Sequence, residues 1–169
     1  ALALGMLAAV ARLSKNKFAN AIAVAYTTVI RGVPDLVLML LIFFGAQIMM
    51  NNLSDWLYDT FEVDYYININ EFVAGVTTIG FIFGAYMAET FRGAFLAVDN
   101  GQIEAGRAYG MSSMQVFRRI TVPQMMRHAI PGIGNNWLVL VKTTALVSVI
   151  GLADMVRLAK EAAGAVHEP

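Results

Sequence analysis

Residues 72–88 carry no charged side chain, and residues 129–153 carry only Lys142. Two further stretches are as apolar. Residues 1–11 end at the basic cluster Arg12, Lys15 and Lys17, and residues 18–50 are interrupted only at Arg31-Gly-Val-Pro-Asp35. Runs of this kind fit helices that cross a bilayer with some tilt or a break, since a spanning helix needs about 20 predominantly apolar residues. Open strands are excluded, because lipid cannot satisfy their edge hydrogen bonds. Within the second stretch, 34–50 fits a span best, while residues 1–11 are too short to cross alone. Composition agrees. Of 169 residues, 58% are hydrophobic and 14% charged, whereas a soluble domain carries about a quarter charged; the mean hydropathy is +0.61. The opening Ala-Leu-Ala-Leu-Gly-Met lacks an initiator Met and a basic n-region, so it reads as the tail of a spanning helix and not as a signal peptide. With the abrupt Ala-Val-His-Glu-Pro at the other end, it points to a chain lacking sequence on both sides.

Charge sets the direction of the spans. Segment 51–71 holds Asp55, Asp59, Glu62, Asp64 and Glu71 with no Lys or Arg, and the segment after the next span holds Arg107, Arg118, Arg119 and Arg127. Cytoplasmic loops collect Lys and Arg, which puts 12–17 and 93–128 inside and 51–71 outside. The first residues then run inward from the outside, and residue 154 onward is outside again. A net charge of zero argues against nucleic acid as a partner, because phosphate binding needs surplus Lys and Arg. Zero cysteines remove disulfides, thiol chemistry and Cys-based metal sites. No spacing of His or carboxylates suggests a metal, no nucleophile–base set is present, and His128 reads as solvated beside Arg127. Nothing calls for a cofactor. Gly75, Gly80, Gly84 and Ala88 recur four or five apart on one helix, a pattern of small residues that lets helices approach closely.

The long inner loop carries the most specific pattern. Residues 99–123 predict a first short helix from Gln102 to Tyr109, closed by Gly110 as a helix C-terminus. Ser112 or Ser113 caps a second helix with Gln115 near the capping-box position. That helix runs through Met114, Val116, Phe117 and Ile120 until Pro123 stops it. Two short helices at an angle make a knob suited to a groove on a cytosolic partner. The loop resembles that of ATP-binding-cassette import permeases, which reads Glu-Ala-Ala, three residues, Gly, nine residues, Ile, one residue, Leu-Pro. Glu104, Ala105, Gly110, Ile120 and Pro123 stand at those spacings, and Gly106 and Val122 depart from the pattern by small apolar changes.

Arg31-Gly-Val-Pro-Asp35-Leu-Val, Glu89-Thr-Phe-Arg92-Gly-Ala, Gly134-Asn-Asn-Trp137 and Leu146-Val-Ser-Val-Ile-Gly-Leu152 are similar to segments of the polar amino-acid branch of that family, and the similarity covers nearly the whole chain. The resemblance implies an all-α polytopic membrane helix bundle of the type I ABC importer permease fold. It implies one permease domain over residues 1–169 with 99–123 as its ATPase-coupling loop, and a final helix lying beyond Pro169. The implied function is the non-catalytic permease subunit of an ATP-driven importer of polar amino acids, basic ones above all, in the bacterial inner membrane. Implied partners are two ATP-binding-cassette ATPase subunits, a second homologous permease subunit and an extracytoplasmic amino-acid-binding protein. The chain has no Gly-x4-Gly-Lys-Ser/Thr phosphate loop of its own, so ATP hydrolysis belongs to another subunit. The acidic segment 51–71 is a candidate for docking the binding protein, although such charge also follows from topology alone.

Charges in or beside the spans mark candidate pathway positions, because a charge at the bilayer centre costs about 3 kcal/mol and must face the bundle interior or an interface. Glu89 either pairs with Arg92 three residues on or faces the pathway and meets a cationic substrate group. Lys142 sits mid-span, with Asn135 seven residues earlier on the same helical face and Thr143 and Thr144 after it. This stripe either binds a carboxylate or pairs with Asp35 or Glu89. Gly32 and Pro34 break or bend the helix at the inner interface. An ion-gradient-driven secondary transporter is the other functional class that these charges allow, but it has no use for the 104–123 loop.

Overall fold

A computed structural model describes residues 1–61 and 71–144, with Leu158 and Gly164 described singly. Glu62, Asp64, the Leu146–Leu152 segment and His167 lie outside the described residues. The elements run α1 (Leu2–Leu13), α2 (Lys17–Gly32), α3 (Asp35–Phe61), α4 (Glu71–Leu96), α5 (Asn100–Ala108), α6 (Ser113–Val116), a π-helical turn (Phe117–Thr121) and α7 (Val122–Thr143). No strand occurs among the described residues.

Two compact units emerge, residues 1–32 with 83–139, and the described part of 33–82 with 140–169. In the second, α3 begins at Asp35, with two residues between it and the end of α2 at Gly32, so the Gly32–Pro34 break falls where the sequence predicts one. Asp35–Thr60 and Phe72–Leu96, at 26 and 25 residues, are long and apolar enough to cross a membrane. At 1.5 Å per residue each is close to 40 Å long, about 10 Å more than the hydrocarbon core. Few of the apolar side chains of α3 are buried, and Leu41, Phe44 and Ile48 stand exposed, as lipid-facing groups would. The sequence places 51–71 in a loop, yet α3 continues to Phe61. Its polar end supplies its own partners: Gln47 Nε2 donates to Asn51 Oδ1 at 2.9 Å, and the Ser54 hydroxyl donates to the Met50 carbonyl at 3.0 Å. Asp55 and Asp59 are exposed on this extension.

The first unit is built on contacts among α1, α2, α7 and the part of α4 beyond Phe83. Its core joins Ala9 of α1, Met87, Phe91, Ala94 and Val98 from α4 and its end, and Met125 and Ala129 of α7. Small residues set the approach of α1 and α2 to α4. A Cβ at Gly84 would stand 2.6 Å from the Tyr26 hydroxyl and 2.7 Å from Leu4, and one at Gly5 would stand 2.5 Å from the Met87 Cβ. The close-packing role read for this stripe is thus filled at Gly84 and Ala88 by two neighbouring helices. Asn16 starts α2 by accepting N–H bonds from Phe18 and Ala19 at 3.0 and 3.4 Å, which satisfies two of the four orphan donors of a helix start.

Candidate functional site: the helical knob and the charge cluster of the bundle

The knob is held by short-range chemistry. Asp99 begins α5 by accepting the Gly101 N–H at 2.7 Å, so the first helix starts at Asn100, two residues earlier than Gln102. At its other end Gly110 takes φ +79°, a left-handed conformation that glycine adopts without strain. There the Gly110 N–H reaches the Arg107 carbonyl at 2.9 Å and the Met111 N–H reaches the Gly106 carbonyl at 3.1 Å. Those two bonds are the Schellman pattern, which satisfies carbonyls a helix end leaves open. Ser112 then caps α6 in a reciprocal box with Gln115: the Ser112 N–H donates to Oε1 at 2.8 Å, and the Gln115 N–H donates to the hydroxyl at 3.4 Å. Of the two serines, Ser112 is the cap.

Pro123 does not stop the second helix. The chain stays helical from Ser113 to Thr143, with Pro123 in the first turn of α7 and Pro131 inside it. A proline in an α-helical interior loses one hydrogen bond and presses its ring on the carbonyl four residues back. Here the turn just before it is π-helical, with the Val122 N–H bonded to the Phe117 carbonyl five residues back. The wider turn moves the carbonyls out of the α-register that proline cannot enter.

The five motif residues divide by environment. Glu104 and Ala105 are exposed on α5, Gly110 makes the turn, Ile120 is half-buried, and Pro123 is exposed after the π-turn. Ile120 packs on Gly106, where an added Cβ would stand 2.6 Å from its Cδ1 and 3.3 Å from Val116 Cγ2. The departure at Gly106 is therefore a packing position that lets α5 lie on the second helix. Outward, Tyr109 and Met114 are 87% and 70% exposed, beside exposed Glu104 and Arg107. Inward, the Phe95 and Phe117 rings stack at 6.3 Å, 17° from parallel, and seat the knob on the end of α4. The exposed tip residue Tyr109 carries no family spacing, and only its position next to Gly110 hinted at it, whereas Arg107 enters the sequence reading only as one of the loop's cations.

In the bundle, Glu89 gathers three arginines. Arg12 Nη1 pairs with Oε1; Arg92 Nη2 and Nε both lie 3.0 Å from Oε2; Arg31 Nη1 lies 3.8 Å from Oε2 and its guanidinium sits 5.9 Å over the Tyr86 ring. Arg12 also donates to the Thr27 hydroxyl at 3.0 Å, while Asn20 donates to the Arg12 carbonyl. The Glu89–Arg92 pair read from spacing is present, but its larger context is a junction of α1, α2 and α4. Sequence reasoning missed Arg12 and Arg31 as partners, because they lie 77 and 58 positions away (89 − 12 and 89 − 31). The carboxylate of Glu89 is thus occupied by arginines. Lys142 is exposed on α7, as is Asn135, and Thr143 is buried.

Residues 1–163 match the family of binding-protein-dependent transport system inner membrane components. The chain is 53% identical over its full length to the histidine/lysine/arginine/ornithine transport system permease protein HisQ of Salmonella typhimurium, covering 72% of that protein. It is 41% identical over 99% of its length to the octopine transport system permease protein OccQ of Rhizobium radiobacter, covering 69% of it. Among solved structures, an amino acid ABC transporter with histidines superposes on 99% of this chain and 71% of its own, with a TM-score of 0.76 and 34% identity. Two described helices of membrane length, a knob at the family spacing and a match over nearly every residue meet in one conclusion: the chain belongs to the family of binding-protein-dependent transport system inner membrane components.

Proposed function

We propose that the chain is the multi-pass permease subunit of an ATP-driven importer of polar amino acids, basic ones above all, in the bacterial inner membrane. Its residues 1–169 act as one permease domain, with 99–123 as the loop that docks a separate ATPase. The observation that carries this reading is the knob: a capped pair of helices with exposed Glu104, Arg107, Tyr109 and Met114, continuous in backbone with α7. Permeases of similar sequence are named for histidine, lysine, arginine and ornithine, which supports the substrate class. The assembly pairs this chain with a second homologous permease subunit, two ATP-binding-cassette ATPases and an extracytoplasmic binding protein that delivers substrate.

Within this reading Glu89 holds helices together, and α7 supplies the pathway through Asn135, Lys142 and Thr143. An exposed ammonium at Lys142 suits the α-carboxylate that every amino-acid substrate carries. The test is uptake by the full complex in proteoliposomes with ATP inside, against an ion gradient without ATP. ATP-dependent uptake that Glu104→Lys abolishes, with the permease still inserted, is the expected result. Uptake driven by the gradient alone, or normal substrate-stimulated ATP turnover in Glu104→Lys, would overturn it.

A further inference from the structure

On α7, Met125, Ala129, Gly132 and Asn136 fall four, three and four residues apart, which puts them on one helical face. Met125 and Ala129 are 1% and 0% exposed within the core against α4. The face ends in polar chemistry. Asn136 Nδ2 donates to Thr90 Oγ1 of α4 at 2.9 Å and lies 3.7 Å from Met87 Sδ. The Thr90 hydroxyl in turn donates to the Tyr86 carbonyl at 3.2 Å, so its rotamer is fixed from both sides. One turn earlier Gly132 receives the Thr90 methyl: a Cβ there would stand 2.6 Å from Cγ2. The sequence segments Glu89-Thr-Phe-Arg92 and Gly134-Asn-Asn-Trp137, 46 positions apart at their contact, therefore meet in one fitted joint.

An apolar helix seam can slide, because one methylene contact replaces another. A single polar pair in such a seam admits one register, as a lone Asn does in a coiled coil. We propose that Thr90, Gly132 and Asn136 form a register pin that makes α4 and α7 move as one body when the knob is displaced. α7 is the backbone continuation of the knob, and the residue before Thr90 is Glu89, which ties α4 to α1 and α2 through Arg12 and Arg31. Displacement at the knob thus has a polar route to three other helices beside the apolar contacts of Phe117, Met125 and Ala129 with α4, and all three pin residues are positioning residues. This inference rests on the coupling reading of the loop.

The experiment uses the full complex with its ATPase and binding protein, and radiolabelled arginine as probe. Thr90→Val and Asn136→Leu should each lower arginine moved per ATP hydrolysed by about fivefold or more, with the ATPase still co-purifying. The double variant should be no worse than the worse single one, and Thr90→Ser, which keeps the hydroxyl, should behave as wild type. Because the chain has no cysteine, spin labels at Leu96→Cys and Ile130→Cys, both exposed, report the α4–α7 register without reference to the ATPase. One narrow distance distribution that broadens in Thr90→Val supports the pin. An unchanged distribution, an unchanged transport ratio, or Thr90→Ser no better than Thr90→Val would overturn it. Failure of both single variants to assemble would overturn it too, since a pin sets register and is dispensable for assembly. Loss of ATPase docking with the register result intact would strike the loop reading alone.

Discussion

Replacing Glu89 by Gln should destabilise the permease far more than replacing any one of its arginines. The Glu89 side chain is 16% exposed, and its partners Arg12, Arg92 and Arg31 are 20%, 33% and 45% exposed. At 3 Å and an effective dielectric near 20, a close ion pair has about 5 kcal/mol of Coulomb energy, most of it offset by desolvation. The net worth of any one pair is therefore small, but the asymmetry is large. Glu89→Gln leaves three guanidiniums facing one another without a carboxylate. Breaking a buried pair costs about 3–5 kcal/mol, and screening at these exposures reduces that to about 2–3 kcal/mol. Arg92→Gln leaves Glu89 with two arginines and should cost about 1 kcal/mol or less. For a chain of this size, Glu89→Gln should lower the melting temperature of the solubilised complex by about 4–12 °C, followed by fluorescence-detected size exclusion. Arginine affinity of the surviving protein should stay near wild type. A Glu89→Gln complex that melts like wild type but no longer binds arginine would refute the reasoning, and would place the carboxylate on the substrate.

Three further perturbations address the knob and the pathway. Gly110→Ala forces a Cβ into a backbone at φ +79° and should cost about 1 kcal/mol, read as faster protease cleavage between α5 and α6 and weaker ATPase co-purification. Gly106→Leu drives a side chain onto Ile120 and Val116; overpacking of about 1–3 kcal/mol should release the ATPase while membrane insertion, measured by fractionation, is unchanged. Lys142→Met should impair uptake, with direct binding to the solubilised permease showing a loss of arginine affinity; retained affinity would assign Lys142 to structure.

The knob was legible because its determinants are local. Ser112 and Gln115 are three apart, Gly110 ends a short polar helix, and each rule involved needs only neighbours in the chain. The same rules misplaced Pro123, since the prohibition on interior proline presumes an α-helical register. The π-turn that relieves it depends on the Phe117–Val122 bond, and nothing in the residue types of 117–121 announces one. The end of α3 was missed for a related reason: Asn51, Ser54, Asp55 and Asp59 read as loop by polarity, yet their helix is satisfied by side chains bonding one turn back.

Non-local pairing was not legible, and the charges show why. The cost of burying a charge says that Glu89 must have a partner but not which one. Counting Lys and Arg places Arg12 with Lys15 and Lys17 as an inner-side cluster, yet these cations differ. Lys15 and Lys17 are exposed, whereas the Arg12 side chain, set on a helix whose Cβ bonds tilt toward the N-terminus, reaches Thr27 and Glu89 inside the bundle. A loop count weighs all three alike because it sees only sequence position. What separates them is the direction in which a helix aims its side chains, together with the presence of Gly84 one and a half turns from Glu89, which brings α1 and α2 close enough for the arginines to arrive.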